Sequence, residues 1–155
     1  MALEALKSLL EGGRGGVFFL PQRATPKEVQ AAAKRAKFAF FHVEGRNIER
    51  KEQLLNHVAT ALHFPGHFGH NWDALEECLI DMEFADADGY VILYDHIDGL
   101  LAAHPDQFET FIEICRDAVA SWKEDGTAMI VLLSGAKAPK GVAKLGATKP
   151  VEDDE

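Results

Sequence analysis

Three carboxylates, Asp73, Glu76 and Glu77, stand three and four residues apart inside the run FPGHFGHNWDALEECLID, Phe64 to Asp81. That spacing places them on one face of a helix. Acids grouped in this way could share a proton-transfer step, hold a metal ion together with nearby imidazoles, or pair with the cationic groups of a basic partner. Glycosidase-type acid/base work needs two carboxylates whose environments push their pKa values apart. Neighbours on one exposed helix face share a single environment, and the sequence shows no cleft between them, so no enzymatic activity is expected. His57, His63, His67 and His70 lie close by, but Pro65, Gly66 and Gly69 break any helix that would align them. A metal site also needs an organised second shell. No metal and no cofactor is therefore expected, and His42 and His96, at strand ends, read as structural groups. A basic partner is the chemistry that remains.

Charge along the chain favours the same choice. Between Lys51 and Arg116 there is no lysine or arginine, yet the stretch holds thirteen Asp and Glu residues. It alone carries −13, while the remainder of the chain carries +4, giving the net −9. A one-sign field of this kind bears on steering and solubility, not on which fold forms. It argues against nucleic-acid binding, in which lysines and arginines neutralise phosphates.

The elements that must position these acids can be read from hydrophobic patterning. Val17–Leu20, Phe38–Val43, Tyr90–Tyr94 and Ala128–Leu133 are nearly continuous apolar runs, as expected of strands buried on both faces. Helical patterns lie between them. One opens at Thr25-Pro26, an N-cap followed by proline at the first helical position, and runs through Lys37. Others span about Arg50 to Leu62, begin near Asn71, and cover Pro105 to Trp122. Alternating strands and helices imply right-handed crossovers and an α/β fold. The expected core is a small parallel sheet of three strands, plus an extra N-terminal strand.

In the acidic helix Asn71 is a natural N-cap. Trp72, Leu75, Leu79 and Met82 share the face expected to enter the core, while Asp73, Glu76, Glu77 and Ile80 share the opposite face, with Asp81 at its margin. Ile80, an aliphatic residue among acids, and Phe68, an aromatic in the preceding turn, are both expected as exposed contacts of an interface. Like charges at these spacings repel by about 0.2–0.5 kcal/mol per pair. The helix N-terminus offsets part of this cost.

Length and composition suit a single globular domain. Cys78 and Cys115 sit in apolar helical patterns and read as buried, reduced thiols. The N-terminal stretch lacks the features of a secretion signal, and no apolar run is long enough to span a bilayer. The expectation is a cytoplasmic protein with no membrane contact, monomeric by default. The tail from Ser134, rich in Gly, Ala, Pro and Lys and ending Val-Glu-Asp-Asp-Glu, is expected to be disordered.

The run Phe68-Gly69-x-Asn71-x-Asp73-Ala74-Leu75-x-Glu77-Cys78-Leu79 resembles the signature of the barstar family, intracellular inhibitors of secreted bacterial ribonucleases. The order of elements agrees from about Phe38 to Leu133. The resemblance thus implies residues 38–133 as a barstar-like domain, residues 1–37 as an N-terminal extension of helix, strand and helix packed on it, and 134–155 as the tail. It further implies a cytoplasmic bacterial inhibitor giving antitoxin-like immunity, whose partner is a basic, extracellular, barnase-like ribonuclease. The short helix and preceding turn would cover the basic active site, with carboxylates standing in for phosphate. Position by position, Glu77 takes the place of the family's main acid, an aspartate. Asn71 and Asp73 match directly, and Phe68 and Gly69 match the turn. His67 replaces an aromatic that packs on the enzyme, Glu76 replaces a large aromatic, and Asp117 falls where the family has a peripheral glutamate. The alternative is a barstar-like acidic module for another basic partner, either a toxin nuclease of a different family or a protein that is no nuclease, since a fold does not determine a function.

Overall fold

The computed structural model describes residues 2–21, 24–66, 68–82 and 87–146. In chain order these form α1 (Ala2–Gly12), β1 (Gly16–Phe19), α2 (Pro26–Arg35), β2 (Phe38–Glu44), α3 (Lys51–Ala61), α4 (Trp72–Ile80), β3 (Gly89–Asp95), α5 (Asp98–Ala103), α6 (Pro105–Glu124), β4 (Ala128–Leu133) and β5 (Ala143–Lys144). The five strands make one all-parallel sheet in the order β2-β3-β4-β1-β5. None of the described helices is long and apolar enough to cross a membrane.

Every residue of β3 and β4 is buried, which is why their sequences run apolar without alternation. Successive side chains still point to opposite faces, and each face has its own core. Tyr90, Ile92 and Tyr94, with Met129, Val131 and Leu133, pack against α3, α4, α5 and α6. Val91, Leu93, Ala128, Ile130 and Leu132 pack against Leu6, Leu9 and Leu10 of α1 and Val29, Ala32 and Ala33 of α2. The described residues of the first 37 therefore cover most of one face of the sheet, with Leu145 beside them. They also add β1, paired with β4 from Gly16↔Ile130 to Phe19↔Leu133. The start of α2 is closed by a capping box: Glu28 N donates to the Thr25 hydroxyl oxygen at 3.2 Å, and Thr25 N donates to the Glu28 carboxylate at 2.9 Å.

The stretch from Ser134, expected to be disordered, is ordered as far as Gly146. Its β5 continues the sheet beyond β1, with Phe18↔Ala143 and Phe19↔Lys144 in register. Leu145 N donates to Phe19 O at 2.8 Å, Arg116 Nη2 donates to Gly141 O at 2.8 Å, and Val142 and Leu145 are buried. Only two residues pair and both are exposed, so no apolar run announced the strand. Residues 147–155 lie outside the described residues.

If β5 anchors the C-terminal stretch, Leu145→Ala should cost about 2–3 kcal/mol of unfolding free energy, as for other buried leucines. Lys144→Ala, on the exposed side, should stay within about 0.5 kcal/mol. Urea denaturation of the two variants checks both values, and a neutral Leu145→Ala would mean that the strand contributes nothing to stability.

Candidate functional site

The approach to α4 is built from local backbone chemistry. Helix α3 ends with the cap Leu62, and His63 adopts a left-handed φ of 58°. His63 N donates to Thr60 O and Phe64 N to Ala59 O, the two bonds of a Schellman closure, with histidine where glycine is usual. A turn then folds Phe68 N back onto Pro65 O at 3.0 Å. After a second left-handed residue, His70 (φ 55°), Asn71 caps α4 by accepting from Ala74 N at 2.8 Å, while its side-chain amide donates to Gly69 O at 3.3 Å. This satisfies one of the orphan donors of the first turn.

The far end of α4 is held from the interior. Trp122 Nε1 of α6 donates to Leu79 O at 2.8 Å, and the Trp122 ring meets Tyr90 edge-on with centroids 5.0 Å apart. The Tyr90 hydroxyl in turn donates to Met82 O at 3.4 Å. Leu75, Leu79 and Met82 enter the core. Trp72, expected with them, is only half-buried and carries Lys51 Nζ 5.2 Å from its ring centroid.

Beside the helix lies a cleft of about 570 Å³, which the sequence did not reveal. Asp73, Glu77 and Asp81 line one wall, with Ala74 and Cys78 beside them; Leu62 to Pro65 supply the other side. Steps of four residues space these carboxylates by about 6 Å along the helix axis. Asp73, Glu77 and Asp81 are all exposed, and no ion pair to any of them exists among the described residues. Of the residues expected at the site, Phe68, Gly69, Asn71, Asp73 and Glu77 line this cleft. Glu76 is half-buried on the flank away from it, and Ile80, 38% exposed, also lies outside the lining. Asp117 is exposed on α6 and lines no part of the cleft. His67 lies outside the described residues.

Two corrections follow. Phe68, expected as an exposed anchor, is only 6% exposed: it packs into the core between Phe64 and His70, at centroid distances of 5.2 and 4.7 Å, and forms the floor of the cleft. Asp81, set at the margin by the sequence, stands in the carboxylate row. Its distance of four residues from Glu77 was the signal that could have placed it there. Cys78 and Cys115 are free. Burial raises the Cys78 thiol pKa, and the neighbouring Glu77 and Asp81 carboxylates raise it further; burial pushes Cys115 up to about 12. Donors of metal-ligand type do converge among the described residues, but elsewhere, where His42, Glu44 and Asp95 meet at the ends of β2 and β3. His63 and His70 take no part in that group.

A model of the family described as Barstar (barnase inhibitor) matches residues 38–134. The chain belongs to the barstar family. The family is one of inhibitors by its description, and the matched segment contains the whole of α4 and its turn. Comparison with curated proteins finds no match. Among solved structures the chain is similar to the ORC2 protein of Aeropyrum pernix, in its ADPNP-ADP complexes and in its ADP form. Identity is 16% and the TM-score 0.59 in both, covering 87% and 88% of this chain and 40% of that one. The chain thus spans about two fifths of the length of those proteins, and the likeness is one of fold.

The raised thiol gives a chemical readout of the cleft. At neutral pH Cys78 should be mostly protonated and react slowly with iodoacetamide, because the thiolate is the nucleophile. Glu77→Gln and Asp81→Asn should each lower its pKa and speed alkylation, whereas Cys115 should stay inert in all three proteins. Equal Cys78 rates in the variants and the parent would place the carboxylates away from the thiol.

Proposed function

We propose that this barstar-family chain inhibits a barnase-like bacterial ribonuclease by laying α4 and its preceding turn over the enzyme's basic active site. The observation that carries this reading is the row Asp73, Glu77 and Asp81, without lysine or arginine partners among the described residues and spaced along one wall of an open cleft. Like charges left unpaired along one helix wall cost stability, and an incoming cation relieves that cost. Arginine forks match carboxylates through bidentate, charge-assisted bonds, and a site built to hold phosphates supplies such cations. Asn71 fixes the start of the row and Trp122 its end, so the backbone that carries the carboxylates is in place before the partner arrives. The enzyme would meet Phe68 as the apolar floor between charged walls, not as a protruding plug.

RNA cleavage by barnase, measured with and without this protein, tests the reading. Asp73→Ala and Glu77→Ala should each weaken inhibition by more than about 2 kcal/mol, the scale of a central interface residue. Glu124→Ala and Asp125→Ala, at the far end of α6, should change it by less than about 0.5 kcal/mol. Undiminished inhibition by the Asp73→Ala, Glu77→Ala double variant would remove α4 from the mechanism. A protein that leaves barnase fully active would sink the choice of target.

Steering makes a separate claim. The association rate should fall steeply as salt rises, while dissociation changes little. Stopped-flow fluorescence at several ionic strengths checks this, and a flat response would rule steering out.

A further inference from the structure

At the carboxyl ends of β2 and β3, away from α4, His42, Glu44 and Asp95 converge with donor atoms within 4.8 Å of one another, and His96 stands beside the two carboxylates. Parallel pairing puts Glu44 opposite Asp95, and the two-residue period brings His42 to the same face as Glu44. His42 Nε2 lies 2.8 Å from Asp95 Oδ2 and 3.8 Å from Glu44 Oε1. His96 Nδ1 lies 3.3 Å from Asp95 Oδ1 and 3.9 Å from Glu44 Oε2. A tetrahedral or octahedral ion with ligands at about 2.0–2.2 Å holds adjacent donors roughly 3–3.5 Å apart. The separations within His42, Glu44 and Asp95 bracket that range; Arg46, whose Nε lies 3.4 Å from Glu44 Oε2, would swing away and His96 would turn inward to close the shell.

The surroundings are those of an organised site. Asp95 is the one buried charged residue among those described, 6% exposed, and no lysine or arginine pairs with it. Gly45 N donates to Asp95 Oδ1 at 3.1 Å, which aims Oδ2 at His42. Only glycine permits this approach: a Cβ on residue 45 would stand 2.1 Å from Asp95 O and 2.6 Å from the Tyr94 ring. Burial alone would raise the Asp95 pKa, but the bonds from Gly45, His42 and His96 outweigh it and hold the carboxyl below its usual value. His96 takes a left-handed φ of 50°, a strained conformation for a residue other than glycine, and so brings its ring over the same carboxylates. A cavity of about 250 Å³, lined by Asp95, His96 and the Thr25-Pro26 start of α2, adjoins the group on the Asp95 side.

We propose that His42, Glu44, Asp95 and His96 form a binding site for a divalent metal ion of the zinc type. Two imidazoles with two carboxylates are the donor set that suits Zn²⁺ better than the all-oxygen ions Ca²⁺ and Mg²⁺. Gly45 serves as the outer hydrogen bond that orients the central ligand. Held between adjacent strands, the ion would clamp the open edge of β2 to β3. The site shares no residue with the α4 cleft and stands or falls independently of ribonuclease inhibition.

Equilibrium dialysis of the untagged protein against Zn²⁺ alone tests this, with imidazole nitrogen NMR as a second readout. One ion per chain should bind, shifting the His42 and His96 ring signals and raising the melting temperature in a way that a chelator reverses. Glu44→Gln and His42→Gln should each weaken binding by about 100-fold or more, above the range for outer-shell changes. His63→Gln with His70→Gln should leave it unchanged. If His42→Gln fails to fold, Glu44→Gln and His96→Asn carry the test, since both positions are exposed and asparagine tolerates the left-handed backbone. Absence of bound zinc, binding unaffected by Glu44→Gln and His96→Asn, or binding lost only in the His63, His70 variant would overturn the proposal.

Discussion

Strands β3 and β4 are buried at every residue, and a parallel strand of that kind is stable only with helices packed on both its faces. This constraint organises the molecule. On one side, α3 to α6 cover Tyr90, Ile92 and Tyr94 and carry the acidic cleft. On the other, α1 and α2 must cover Val91, Leu93, Ile130 and Leu132, which would otherwise face water. The first 37 residues lie outside the match to the barstar family, yet in this chain they complete the core. Removing them would expose an apolar sheet face of the sort that aggregates.

What could be read in advance follows from which interactions are local. Continuous apolar runs located β1 to β4, because burial on both faces leaves its mark on every residue. Helical periodicity gave α4 its phase, and Asn71 its start. Strand β5 left no such mark, since it contributes two exposed residues and is held by β1 and by the buried Leu145. The six-residue α5 is too short to show a period. The burial of Phe68 depends on Phe64 and His70 folding around it through a turn, and the half-burial of Glu76 on which flank faces α4's neighbours. The group around Asp95 was the least legible: His42 and Asp95 are 53 residues apart and meet only because β2 pairs with β3 in a particular register.

Electrostatics and packing divide the labour at α4. Core contacts of Leu75, Leu79 and Met82 hold the helix down, so the carboxylates on its outer wall need contribute nothing to folding and cost only their mutual repulsion. For the partner proposed above, the helix backbone is thus fixed before contact and only the exposed carboxylate side chains remain to be ordered, which limits the entropy that weakens association.

The bond from the Trp122 indole to Leu79 O ties the last turn of α4 to the long helix behind it, at a point remote from the solvent-facing wall. Mount and display are thus physically separate. Residues 73, 77 and 81 can be exchanged one at a time without disturbing the contacts that set the angle of the helix. A lineage carrying this frame can therefore follow a changing target by altering a few surface side chains, each step leaving a folded protein.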